Sequence, residues 1–315
     1  MNLLLLTIAL LGLWVGTEIT VRQALRLAAT LRLSPMFVGL TILAIGTDLP
    51  ELVLSIEAGL QRLTGVETSG LVVGNAIGSS LGQIGFALGV TGLFGYVTLG
   101  SRRGWSDGVM LLGSIAIFFM LGVDGAFTRI DGGILITVYL VYFATTVRRE
   151  RYEKAKRKPG MINGGAKMGA LCLLGFVIVA ASSHLAIKSA VALAEEWGIA
   201  QTFVGIVLIG IGTSLPELAV SLNAVFKKQG ALSAGNILGS NIFDMLVAPG
   251  TAAVIAGLTV DSPSMLTIDL LALLAISLLA LYFFKRRKGL QKGEALTLLI
   301  AYIAYIATRT LWAGA

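Results

Sequence analysis

The chain has 315 residues, of which 56% are hydrophobic and only 13% charged, with a mean hydropathy of +0.87. A soluble domain carries about a quarter charged residues, so a water-soluble fold is excluded. One cysteine, Cys172, and one histidine, His184, exclude an internal disulfide framework and leave a His/Cys metal site implausible; the two read as a small core residue and an interfacial imidazole.

In chain order, apolar stretches occupy residues 2–21, 36–60, 71–100, 107–122, 133–147, 168–194, 201–226, 231–258, 264–284 and 295–313. A helix needs about 20 mostly apolar residues to cross a bilayer, so these predict ten transmembrane helices. Barrel strands would alternate in polarity, and these do not. The opening MNLLLLTIALLGLWVG has no Lys or Arg before Arg22, so it reads as a spanning helix and not as a signal peptide. Threading ten spans puts 20 of the 24 cations on one side, leaving Arg62, Arg129, Lys188 and Arg309 on the other. The positive-inside rule then predicts a multi-pass cell-membrane protein with both termini outside. The net charge of +7 therefore needs no nucleic-acid partner, and the run from Arg148 to Lys158 reads as a solvated hinge.

The chain repeats itself. Residues 37–59, FVGLTILAIGTDLPELVLSIEAG, match residues 203–225, FVGIVLIGIGTSLPELAVSLNAV, at 12 of 23 positions. GNAIGSSLGQ (74–83) matches GNILGSNIFD (235–244). Five spans separate the copies, so the second is inverted. The predicted fold is all-α and membrane-integral: ten transmembrane helices as two inverted five-helix repeats. Residues 1–147 form the first repeat, 148–167 a basic linker and 168–315 the second repeat. Repeats of this kind bind substrate near the midplane, on discontinuous helices.

Glu51 and Glu217 lie deep in apolar segments, where an ionisable group is a functional candidate. Pro50 and Pro216 precede them and free backbone carbonyls near Gly46 and Gly212, which bilayer depth tolerates only beside an ion or water. Thr47 and Thr213 stand four residues before the glutamates, on one helical face with them. Ser79 with Gln83, and Ser240 with Asp244, repeat that spacing. Gly74, Gly78, Gly235 and Gly239 are expected to let backbones approach closely. The candidate ligands are all hard oxygen donors, which suit calcium or sodium and not copper or zinc. Asp107, Asp131, Asp269 and Glu294 read as carboxylates complementing helix starts. Glu18 and Glu57 stay open, Glu57 as a residue that could line an outer approach.

At GTDLPE and GNAIGS, then GTSLPE and GNILGSNIFD, the chain resembles the calcium/cation antiporter superfamily, most of all its prokaryotic sodium/calcium exchanger branch. The resemblance covers essentially the whole chain. It implies a diamond-like cluster of one calcium and several sodium sites around Glu51 and Glu217. Thr47, Thr213, Ser79, Ser240 and Asp244 are implied as further ligands, and the first and sixth helices are implied to slide against the other eight. No enzyme activity and no cofactor beyond the transported ions is implied. The first half departs from the pattern. Asp48 stands where the second half has Ser214, Ser80 replaces the Asn of GSN, and Gln83 stands where Asn or Asp is usual. Asp48, Glu51, Glu217 and Asp244 thus put four carboxylates at motif positions.

The expected function is calcium export driven by sodium entry, within a lipid bilayer and without an obligate protein partner. Calcium/proton antiport is the alternative, made credible by Asp48. A channel fits discontinuous repeats less well. Aspartyl proteolysis through Asp48 and Asp244 leaves both glutamates and both prolines unexplained.

Overall fold

Prolines, glycines and left-handed residues punctuate the chain into helices. The computed structural model describes residues 2–100, 102–155, 165–196, 214–260 and 265–313. Helix α1 (Asn2–Leu31) closes at Arg32, which adopts φ 58°, so that the Leu33 N–H reaches the Ala28 carbonyl at 2.8 Å. This left-handed stop satisfies carbonyls that the helix end would leave bare. Helix α2 (Pro35–Thr47) starts on Ser34, whose hydroxyl accepts the Phe37 N–H at 3.2 Å. Proline suits that first position because its N–H is not needed there.

The chain then breaks at Asp48 and resumes as α3 (Leu49–Leu63), bent by 46° from α2. Pro50 removes the donor that a continuous helix would offer the Gly46 carbonyl. Next come α4 (Ser69–Phe94), α5 (Arg102–Gly122), the two-residue strand β1 (Ala126–Phe127) and α6 (Arg129–Ala155). Then follow α7 (Gly165–Glu196), α8 (Leu215–Phe226), α9 (Gly230–Leu246), α10 (Ala248–Ala256) and β2 (Leu258–Thr259). Helices α11 (Leu270–Arg287) and α12 (Lys292–Ala313) end the described chain. Seven helices among the described residues are long and apolar enough to span a membrane, and the bent α2–α3 pair makes an eighth. Residues 201–213 of the predicted seventh span lie outside the described residues.

Helix α9 is the axis of the molecule. All but one of its residues are buried, and it packs on α2, α4, α5 and α8. The contact with α2 is backbone to backbone. A methyl group at Gly235 would strike the Met36 carbonyl and the Leu40 backbone, and one at Gly239 would strike Leu40 and Ala44. Small residues allow this approach, and in a bilayer dispersion contacts of this kind hold helices together. Among the described residues, nothing lies within 4 Å of a methyl group placed at Gly78. Helix α1 packs along α7 and reaches the remaining helices chiefly through α8. Large apolar side chains such as Leu11, Trp14, Met120, Ile130 and Ile303 face outward, as a lipid-facing surface requires.

The two halves are also pinned by short strand contacts. Ala126 pairs with Thr259 and Phe127 with Leu258, while Val97 bridges Leu290.

Two acids read as helix-start carboxylates have inter-helix partners instead. Buried Asp107 accepts from the Tyr142 hydroxyl at 3.2 Å. Asp269 takes the Tyr305 hydroxyl at 2.9 Å and an ion pair with Arg309 at 2.7 Å. A hydroxyl or guanidinium from the next helix satisfies a carboxylate more completely than a helix dipole does. Asp131 keeps the expected role, accepting from the Thr128 backbone and hydroxyl at 2.7 and 2.6 Å. Glu294 lies in the first turn of α12.

Candidate cation site

The helix starts at the two Leu-Pro-Glu motifs share one backbone conformation. Asp48 has φ −88° and ψ 3°, and Ser214 has φ −90° and ψ 8°. Each is followed by Leu-Pro-Glu, so Glu51 and Glu217 both sit in the first turn of a helix. Positive potential at a helix N-terminus favours a carboxylate there. Oxygens of Asp48, Glu51 and Glu217 lie within 4.8 Å of one another.

All three residues, and Asp244, are buried. Both carboxylate oxygens of Asp48 and of Glu217, Oε2 of Glu51 and Oδ1 of Asp244 find no hydrogen-bond donor among the described residues. The Ser79 hydroxyl is likewise without a partner there. Two like charges within 4.8 Å repel by about 3–4 kcal/mol at an effective dielectric of about 20. Among the described residues, Lys and Arg side chains pair with Glu18, Glu67, Glu294 and Asp269 and with none of these four acids. A cluster of carboxylate oxygens lacking donors is the environment that a hard divalent cation satisfies.

The hydroxyls hold the halves together around this cluster. Thr47 Oγ1 donates within its own helix, to the Leu43 and Ala44 carbonyls at 3.1 Å, and stands 3.5 Å from Ser240 Oγ. The Ser214 hydroxyl donates to the Ser79 carbonyl at 3.4 Å. Gly46 backs onto the ring of Phe176 in α7, which leaves no room for a side chain. Gln83 Nε2 donates to Asp244 Oδ2 at 3.0 Å. Thr213 and Gly212 lie outside the described residues.

Sequence reasoning passed over the amides. Asn241 donates to Gln83 Oε1 at 2.7 Å, and Asn236 donates to the Ser221 hydroxyl at 3.0 Å. Two asparagines in an apolar span were the available signal, since buried polar groups at that depth need a reason. The open acids resolve as surface or linking groups. Exposed Glu57 accepts from Gln61 at 3.2 Å. Glu18 pairs with Arg22 at 2.8 Å and with Lys227 at 2.6 Å, joining α1 to the end of α8.

A multi-pass helical membrane protein with a bent span and buried, clustered carboxylates has the arrangement of an ion transporter. The sequence model of the sodium/calcium exchanger protein family matches residues 1–148 and 168–311, and the chain belongs to that family. It is a transporter and not an enzyme. It is 30% identical over 305 residues to the uncharacterized membrane protein MJ0091 of Methanocaldococcus jannaschii, covering 96% of this chain and 95% of that one. It is 27% identical over 349 residues to the sodium/calcium exchanger MaX1 of Methanosarcina acetivorans, covering 97% of each. Solved structures of the sodium-calcium exchanger NCX_Mj superimpose closely. One, soaked with 2.5 mM Na+ and 1 mM Sr2+, gives a TM-score of 0.83 at 28% identity over 97% of both chains.

Proposed function

We propose that this chain exchanges calcium for sodium by presenting one buried oxygen cluster to the two sides of a membrane in turn. The observation that carries this reading is the convergence of Asp48, Glu51 and Glu217 within 4.8 Å, in a chain of the sodium/calcium exchanger family. Calcium takes six to eight oxygens at 2.3–2.6 Å, which three carboxylates with neighbouring hydroxyls supply, while sodium accepts similar oxygens at lower charge. Glu51 and Glu217 bind the divalent ion. Thr47, Thr213, Ser79, Ser240, Asp244 and the carbonyls of Gly46 and Gly212 complete the calcium and sodium sites, with Asp48 as an added anionic ligand beside Ser214.

The matching dihedral angles at Asp48 and Ser214 support two inverted repeats, residues 1–147 and 168–315, joined by the basic linker 148–167. Ten spans follow if residues 201–226 form one span. Counting cations supports a cell-membrane location with both termini outside. The lipid bilayer is the protein's solvent, and no nucleic acid or obligate protein partner is part of this reading.

The test is calcium uptake into proteoliposomes. An outward sodium gradient drives uptake, and collapsing the proton gradient with an ionophore leaves it intact. Uptake that ignores sodium and follows pH would assign the coupling to protons.

A further inference from the structure

Gln83 and Asp244 occupy equivalent places in the two matching motifs, yet they bond to each other. Gln83 lies in the π-helical turn Gly82–Ala87 of α4, a local widening often found at functional sites. Its amide orientation is fixed by its partners. A buried carboxylate offers only acceptors, so the Gln83 nitrogen must face Asp244 Oδ2, at 3.0 Å. Its oxygen then faces the Asn241 amide, which donates at 2.7 Å. Asn241 is itself set by a second donation, to its own Ile237 carbonyl at 2.8 Å. Gln83, Asn241 and Asp244 are all fully buried.

We infer that Gln83 is a positioning residue, which clamps one oxygen of Asp244 and aims the other at the cation cluster, and that it does not itself ligate the ion. Two features carry this. The Gln83 oxygen is already turned toward an N–H donor, and the positive end of that amide dipole repels a cation approaching the same oxygen. Asp244 Oδ1, by contrast, has no donor among the described residues. The clamp removes the choice of which Asp244 oxygen meets the ion, so ligand geometry is set before the ion arrives. This inference rests on the calcium–sodium reading above.

Gln83→Leu and Gln83→Glu test it, with calcium binding read by titration calorimetry on purified protein and transport read in proteoliposomes. Loss of the clamp weakens calcium binding about tenfold in Gln83→Leu, raising KM while maximal flux stays within about threefold. Gln83→Glu weakens binding at least as much, because it removes the donor and sets a like charge against Asp244. A ligating Gln83 predicts the reverse for Gln83→Glu, an added anionic oxygen that keeps or tightens calcium. Unweakened binding in either single variant overturns the inference. If a variant melts well below wild type in detergent, Gln83→Met, which keeps the length and lacks the donor, replaces Gln83→Leu. Wild-type protein that binds calcium but transports none refutes the exchange reading alone, and the calorimetry still decides the role of Gln83.

Discussion

Asp48 and Ser214 hold the same backbone conformation just before the two Leu-Pro-Glu helix starts, φ −88° against −90°, and only one of them is charged. The backbone therefore accepts either residue there, and on the proposed function the difference acts on ion binding.

Asp48→Ser tests that difference directly. The backbone is kept, one anionic ligand is lost, and calcium affinity falls by about tenfold in a titration. The purified protein melts at or above the wild-type temperature, because one repulsion in the cluster is gone. Unchanged calcium affinity would remove Asp48 from the site.

Glu51→Gln and Glu217→Gln each replace a carboxylate by an isosteric amide in the first turn of a helix. Calcium flux in proteoliposomes drops by about a hundredfold or more in either variant, while insertion and purification proceed as for wild type. Near-normal flux in either protein contradicts the central role given to the pair.

Backbone contact between α2 and α9 predicts a contrast among glycines. Gly239→Val destabilises by about 1–3 kcal/mol or more, since the neighbouring groups are backbone and cannot yield. Gly78→Ala is neutral or stabilising by up to about 1 kcal/mol, as a helical glycine with no described residue within 4 Å of the added methyl gains propensity on acquiring it. Thermal melts in one detergent compare the two. Equal losses would show that Gly78 also makes a close contact.

Glu67, in the loop between α3 and α4, has its carboxyl held down to about 2, mainly by hydrogen bonds from Ser69, with help from Arg62. A carboxyl lowered on folding contributes stability above its unfolded value, about 4.3. That contribution is lost as pH falls toward 2. The folded loop therefore keeps Glu67 ionised, and its Arg62 contact, from neutral pH down toward about 2. A carboxyl-carbon titration by NMR should give Glu67 a midpoint well under 4; an ordinary midpoint excludes the Ser69 clamp.

Local patterns were legible in the sequence. Pro50 announced a break because a missing N–H acts on the residue four positions back, within the reach of a motif. Gly235 and Gly239 announced close packing because small residues at helical spacing share one face. What stayed hidden depends on which helices become neighbours. Asp107 and Asp269 looked like helix-start acids until Tyr142, Tyr305 and Arg309, 35 to 40 residues onward, came across from the next helix. The direction of the Gln83 amide is set by two residues of the other half, and no spacing rule contains it.

The glycine seam between α2 and α9 also imposes an order on biosynthesis. A methyl at Gly39 would strike the Leu232 carbonyl and Asn236 backbone, so α2 completes its packing only against a helix made about 200 residues later. At about 5–20 residues per second of synthesis, the nascent first half waits on the order of 10–40 s for that partner. Throughout this delay Asp48 and Glu51 are already committed to the bilayer without Ser240 or Asp244 across from them. The first half is thus made and threaded before the helix that closes its glycine seam exists.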